Sequence, residues 1–286
     1  MHDLIEQMGR EIVRRESIKD LGRRSRLSDH EDVYNVLNNN KGTDSVEGIM
    51  LDLSQIKRDL HLDADTFKRM PNIRFLKFYY SWRLKKSASV YVSSTLESFP
   101  NELRYLDWSG CPVKSLPPTF CAEKLIELCM PCSQVTKLWD GVQDLVNLKR
   151  INLRGCKQLV ELPDFTQASN LEKVYLDDCA RLRQLHPSIL SIHKLETLSV
   201  YNCEELKSLK GKVHLKSLKT LGVRYCSSLK EFSVSSEELT SLSFDGTIID
   251  TLHSSVGRLS KLVECDLSNV RLETLPNELC LLTSLG

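Results

Sequence analysis

From residue 103 onward the apolar positions fall into one recurring phrase, Leu-x-x-Leu-x-Leu-x-x-Cys, with small variations. Its first leucines are Leu103, Leu125, Leu148, Leu171, Leu195, Leu218, Leu239 and Leu262, and a ninth phrase opens at Leu285. The steps between them are 22, 23, 23, 24, 23, 21, 23 and 23 residues. Inside each phrase the fourth and sixth positions are apolar and the residues between them mostly polar. That is the period of two expected of a short strand with one buried face. One unit of this length cannot bury its own apolar face, so neighbouring units are predicted to stack, with strands side by side and parallel at about 4.8 Å. The return segments carry Leu116-Pro117, Leu162-Pro163 and Leu275-Pro276. Proline disfavours a long helix there, so turns and short helical pieces are predicted on the outer side.

Before residue 103 the pattern is less regular. Met1, Leu4, Ile5, Met8 and Ile12 share one helical face, with Glu6, Arg10 and Arg14 off it. Ser28-Asp29-His30-Glu31 reads as a capping box with Ser28 at the N-cap, opening a second helix that carries Val33, Val36 and Leu37. The Asn38–Gly42 run, tolerant of left-handed geometry, should stop it. Residues 46–53 alternate Ile49, Leu51 and Leu53 and read as a strand. Asp63 to Met70 reads as a short helix ended by Pro71, and Ile73, Leu76 and Phe78 as a first irregular repeat. The step from Ile73 to Leu103 is 30 residues, which predicts an insertion, and 87–95 (SASVYVSST) reads as a loop or edge strand.

A fixed period in the twenties with this phrase is the leucine-rich-repeat signature. The expected fold is α/β: a leucine-rich-repeat solenoid, with a curved parallel sheet on its concave face, behind a short helical segment. Three regions follow: 1–42 helical, 43–102 irregular first repeats with an insertion, and 103–286 regular repeats. The chain stops one step into a repeat, so Leu279, Leu281 and Leu282 are expected to be partly exposed.

Charge narrows the partners. The 39 basic and 38 acidic side chains leave a net charge of +1, which argues against bulk nucleic acid or an anionic membrane surface. Residues 14–26 carry six basic and two acidic side chains but no aromatics, and read as a solvated loop. No apolar run approaches the about 18 residues needed to span a bilayer. The first residues lack the apolar core of a secretory signal, and no Asn-x-Ser/Thr sequon occurs. The expected setting is inside the cell, cytoplasmic or nuclear, with the 10 cysteines reduced.

Most of those cysteines belong to the repeat. Cys111, Cys156, Cys179, Cys203 and Cys226 hold the ninth position and are expected to form a ladder of buried thiols, each bonded weakly to a backbone carbonyl. Cys129 and Cys132 form a single CxxC, whereas zinc ribbons need two. The histidines, among them His186, His193, His214 and His253, show no metalloprotease spacing, and no nucleophile–base set is legible. A binding scaffold is expected in place of an enzyme or a metal protein. Its recognition surface should be the concave face, where the third, fifth and seventh positions point outward. There the phrase presents Tyr105 and Asp107; Arg150, Asn152 and Arg154; Lys173, Tyr175 and Asp177; Tyr201; Arg224; Asp245; and Asp266. Tyr and Arg are the residues enriched where partners anchor. Arg154 beside Asp177 and Arg224 beside Asp245 should pair across adjacent units.

Several separate segments carry a more specific likeness. Met1-His2-Asp3 followed by LIEQMGREIV, then SRLSDHEDVYNVL (25–37), FKRMPNIRFLKF (67–78), ELRYLDWSGCPVKSLPPTF (102–120) and NLKRINLRGCKQLVELPDF (147–165), resemble plant intracellular immune receptors. The class is the one with TIR, nucleotide-binding and leucine-rich-repeat modules. The resemblance implies that residues 1–42 are the winged-helix end of the nucleotide-binding module. It implies that His2 would contact the ADP phosphate, with Asp3 as its structural partner. The chain has no Gly-x-x-x-x-Gly-Lys-Ser/Thr loop and no TIR segment. No cofactor is therefore expected for this chain alone, ADP or ATP belonging to the full-length family. The resemblance implies the C-terminal part of a receptor, as a truncated product or a fragment. Its expected role is to sense a pathogen effector or guarded host protein and to restrain the nucleotide-binding domain by intramolecular contact. The alternative is a substrate receptor or adaptor without an immune role, such as a ubiquitin-ligase subunit.

Overall fold

The computed structural model describes residues 2–81, 88–93, 95–211, 213–270, 272–274, 276–282 and 284. Met1, Leu275, Leu285 and part of the 87–95 segment, all named above, lie outside them. The chain opens with α1 (His2–Glu16), β1 (Arg26–Leu27), α2 (His30–Asn38), β2 (Gly48–Asp52), β3 (Leu60–Leu62), β4 (Phe75–Tyr79) and β5 (Val90–Val92). The regular units follow as β6 (Tyr105–Trp108), β7 (Glu127–Cys129), β8 (Arg150–Asn152), β9 (Lys173–Tyr175) and β10 (Thr197–Ser199). The chain continues with β11 (Ser208–Lys210), β12 (Thr220–Gly222), β13 (Glu231–Ser233), β14 (Ser241–Ser243) and β15 (Glu264–Asp266).

Nine strands form one parallel sheet in the order β1-β2-β4-β6-β7-β8-β9-β10-β12, and β14 pairs with β15 beyond it. The order follows the chain because each unit returns to lie beside its predecessor. The eight anchor leucines from Leu103 to Leu262 are at most 1% exposed. Burying such side chains stabilises each unit against its neighbours by about 1.5–3 kcal/mol per side chain. In the earlier units the interior is filled by stacked aromatics. Trp108 meets Phe78 edge-on at 4.8 Å, and Phe120 leads through Trp139 to Phe165 at 6.0 and 6.1 Å.

The eighth position of every regular unit turns the chain. Gly110, Cys132, Gly155, Asp178, Asn202, Tyr225, Gly246 and Asn269 all have φ between +55° and +72°. Gly, Asn and Asp adopt that left-handed conformation readily, whereas an aromatic such as Tyr225 rarely does. The ninth position then reaches back. The thiols of Cys156, Cys179, Cys203 and Cys226 donate to the carbonyls of Met130, Leu153, Leu176 and Val200 at 3.0–3.2 Å. Each carbonyl belongs to the sixth residue of the preceding unit. Ser133 makes the same link to Trp108 at 3.3 Å, although nothing in the cysteine pattern singled it out.

The return side bears out the proline argument. Its helical pieces are short 3-10 turns, such as Ile189–Ser191, Ser254–Arg258 and Asn277–Leu281. It also holds two strand pairs, β3–β5 and β11–β13, of which the sequence suggested only β5. Residues 87–95 read as a loop or edge strand, and β5 is that strand.

Three expectations change. The N-cap of α2 is Asp29, not Ser28: its carboxylate accepts from the Glu31 and Asp32 amides at 3.1 and 3.2 Å. The short helix read between Asp63 and Met70 is present as one 3-10 turn, Thr66–Arg69. The division at residue 42 runs through the solenoid, because β1 already pairs in parallel with β2 and α2 crosses between them. Leu281 is exposed as expected, but Leu282 is buried at 6%. The helix α1 forms over the predicted residues, and its apolar face, Leu4, Ile5, Met8 and Ile12, is exposed. The basic loop is tied to α2: Arg24 is buried, pairs with Asp32 of that helix at 2.6 Å and donates to the Ser17 carbonyl at 2.8 Å.

Candidate functional site: the concave face

Strand register fixes which side chains meet on the concave face. The third-position row runs Phe75, Tyr105, Glu127, Arg150, Lys173, Thr197 and Thr220, each the partner of the next. The fifth-position row runs Lys77, Asp107, Cys129, Asn152, Tyr175, Ser199 and Gly222. Alternate residues of these strands point inward, so the rows stand outward together, partly or largely exposed.

Of the twelve sequence-predicted surface residues, six gather around a seventh, Tyr175. The guanidinium of Arg154 lies 4.2 Å from the centre of its ring and that of Arg150 5.4 Å. Arg154 pairs with Asp177 at 2.5 Å, as expected from the sequence. The same carboxylate accepts from the Ser199 hydroxyl and, at 3.2 Å, from the Tyr201 amide. Asn152 accepts from the Arg154 amide at 3.2 Å. Lys173 stands beside Arg150 in register, one strand away. Aromatic faces attract such cations, more strongly where water is partly excluded.

Arg224, Asp245 and Asp266 form a second group toward the C-terminal end. Arg224 pairs with Asp245 at 3.1 Å, the second pair read from the sequence. Hydrogen bonds from Asn269 and Arg224 hold the Asp245 carboxyl below its ordinary range. Those from the Ser268 hydroxyl and amide and the Ser243 hydroxyl hold Asp266 down at about 2. Both acids are therefore anionic at any physiological pH.

Tyr105 and Asp107 stand apart from both groups, at the N-terminal end of the arc. Tyr105 is exposed and lies 6.1 Å from exposed Phe75, and Asp107 pairs with Lys77 at 3.1 Å. Phe75 and Lys77 were missed because the first irregular repeat was read only for its core. Its third and fifth positions were the available signal. Tyr225 was missed for a different reason. It occupies the eighth position, which the repeat reserves for turning the chain. Its exposed ring meets Tyr201 edge-on at 5.3 Å and lies under Arg224 at 5.5 Å. A Cβ on Gly246 would come within 2.5 Å of that ring, so the next unit keeps a glycine there.

The remaining predicted groups are structural or lie outside the described residues. The side chains of His2 and Asp3 are among the latter. Burial pushes the Cys129 thiol up to about 11. His186 lies 2.8 Å from the Ser188 hydroxyl, and His214 bridges Ser235 and Glu237 at 3.1 Å each, all on the return side. Among the described residues no group of three His, Cys, Asp or Glu could hold a metal ion, and no helix is long and apolar enough to cross a membrane.

Residues 126–210 match the family described as the leucine-rich-repeat domain of the endo-beta-N-acetylglucosaminidase EndoS. The chain is 36% identical over 273 residues to disease resistance protein RPP2A of Arabidopsis thaliana, covering 95% of this chain and 21% of that protein. It is 36% identical over 272 residues to disease resistance protein RPS6 of the same plant, covering 95% and 24%. The chain thus spans less than a third of the length of these relatives. Among solved structures, the leucine-rich repeat domain of the type III effector XopL aligns with a TM-score of 0.52 and 20% identity. That alignment covers 67% of this chain and 72% of that one, and it bears on the fold alone.

Proposed function

We propose that this leucine-rich-repeat relative of the plant TIR-type disease resistance proteins is the sensing and restraining module of an intracellular immune receptor. Its concave face would bind a pathogen effector or a guarded host protein. Through other contacts it would hold the nucleotide-binding domain of a full-length receptor at rest. It would act in the cytoplasm or nucleus, perform no chemistry and need no cofactor of its own, leaving ADP or ATP to the nucleotide-binding domain.

The observation that supports this reading most is the cluster at Tyr175. Arg150, Arg154, Lys173 and Tyr201 gather there, half-buried or exposed, on a continuous sheet whose other face is core. A rigid surface rich in Tyr and Arg offers anchor groups at low entropic cost. Nothing in the packing of the core calls for those residue types at outward positions.

The test is capture. The chain and its Arg150→Ala/Tyr175→Ala/Tyr201→Ala variant are immobilised, challenged with extracts of healthy and infected leaves, and the retained proteins identified by mass spectrometry. Circular dichroism and thermal melting verify that the variant is folded. A protein held by the native chain and released by the folded variant is the expected result. Identical captured sets would count against the face.

A further inference from the structure

On the concave face each cation at the fifth or seventh position has a carboxylate supplied by the next unit: Lys77 by Asp107, Arg154 by Asp177, Arg224 by Asp245, all within 3.1 Å. The third-position row breaks that rule. Arg150 and Lys173 are register partners on adjacent strands, and neither forms an ion pair with any described residue. Glu127, the partner of Arg150 on its other side, makes no ion pair with it. Asp177 is already taken by Arg154, the Ser199 hydroxyl and the Tyr201 amide. The Arg150 Nε is buried and has no hydrogen-bond partner among the described residues.

Like charges directly opposite on paired strands oppose folding, and a buried guanidinium nitrogen without an acceptor adds to that cost. A concave face that pairs its fifth- and seventh-position cations leaves this one third-position couple open, beside the ring of Tyr175. Groups held at a cost to stability mark places where binding supplies what folding withholds.

We propose that Arg150 and Lys173 form the acceptor for an acidic segment of the recognised protein. One Asp or Glu carboxylate of the partner would bridge the two cations, at the terminal nitrogens of Arg150 and the Nζ of Lys173, while an adjoining side chain covers Tyr175. The inference rests on the reading of the concave face as the partner surface and adds the chemistry of what docks there. Guanidinium and carboxylate pair bidentately, and a partner's acid would gain most here because both cations lack one.

The probe is a short fluorescein-labelled peptide of alternating aspartate and glutamate, with its asparagine–glutamine counterpart and single-stranded oligothymidylate as comparisons. Fluorescence anisotropy on the whole chain at low ionic strength reads the affinities. The acidic peptide should bind and the amide peptide should not, and Arg150→Ser/Lys173→Ser should weaken binding about tenfold or more. Lys173→Glu should abolish peptide binding and, by pairing with Arg150, raise Tm by about 1–3 °C. Equal binding of the amide peptide, tighter binding of oligothymidylate, indifference to the double substitution, or a lowered Tm for Lys173→Glu would each overturn the proposal. Its failure is separable from that of the wider reading. A natural partner released by Tyr201→Ala but retained by Arg150→Ser/Lys173→Ser overturns this inference alone. A partner retained by every variant overturns the face.

Discussion

Between Ser133 and Cys226 the ninth residue of each unit reaches back and bonds the unit before it. Beyond Leu239 this stops. The Thr247 hydroxyl donates to Phe244 of its own unit at 2.7 Å, and the side chain of Val270 has no donor. The core changes at the same place. Val174 and Leu176 are fully buried, whereas their counterparts Cys265 and Leu267 are only partly so. The nine-stranded ladder ends at β12, and β14–β15 continue as a separate pair. A solenoid's stability is a sum of unit and neighbour terms, so one sequence phrase can build a stiff middle and a loosely joined end.

The sharpest way to break that comparison is to truncate the same position in both stretches. Leu176→Ala removes a fully buried side chain from the middle and should cost about 2–5 kcal/mol. Leu267→Ala removes a partly exposed one, and should cost less than about 1.5 kcal/mol. Urea unfolding followed by circular dichroism reads both. Equal losses would mean that the end is as tightly coupled as the middle.

The thiol ladder gives a smaller effect, visible as pH dependence. An unfolded cysteine ionises near pH 8.5. Burial pushes Cys156 up to about 12 and Cys226 up to about 11, and raises Cys179 and Cys203 further still. The folded state therefore keeps protons that the unfolded chain gives up. The contribution is intact below about pH 8.5 and is lost as pH rises toward 11–12. The fall in Tm between neutral and alkaline pH should be smaller in Cys179→Ala/Cys203→Ala than in the native chain, and an equal fall would refute the ladder's role. At mildly alkaline pH a thiol reagent should label exposed Cys132 and Cys280 first. Partly buried Cys265 should follow, and the ladder at least about tenfold more slowly.

Most of this frame was legible because the phrase states it directly. A leucine every unit, a short strand around the fourth position and a cysteine at the ninth are local signals repeated until chance is excluded. What escaped was decided by contacts between distant residues or by positions with two duties. Whether Ser28 or Asp29 caps α2 depends on the path of the chain leading into it, which includes the β1 pairing with β2. Ser133 joins the ladder through geometry that a hydroxyl can satisfy as well as a thiol. Tyr225 sits where the repeat asks for Gly, Asn or Asp, so its side chain was not counted as surface. On the concave face the pairs Arg154–Asp177 and Arg224–Asp245 followed from spacing, but the open couple Arg150–Lys173 emerged only when every neighbouring carboxylate had been placed.

The smallest effect concerns those paired cations, and it asks whether the concave face is part of the frame or merely carried by it. Arg154 and Asp177 join two units of the stiff middle, yet the Arg154 side chain is 45% exposed. Exposed ion pairs couple by about 0.2–1 kcal/mol and are screened by salt. A double-mutant cycle of Arg154→Ala and Asp177→Ala should return a coupling in that range at low ionic strength, shrinking at high salt. A value several times larger and indifferent to salt would make the surface a structural brace, with every concave substitution a folding defect in disguise. A small, salt-sensitive value leaves the ladder and the leucines holding the arc. The charges on its inner face could then exchange an internal partner for an external one at little cost to the fold.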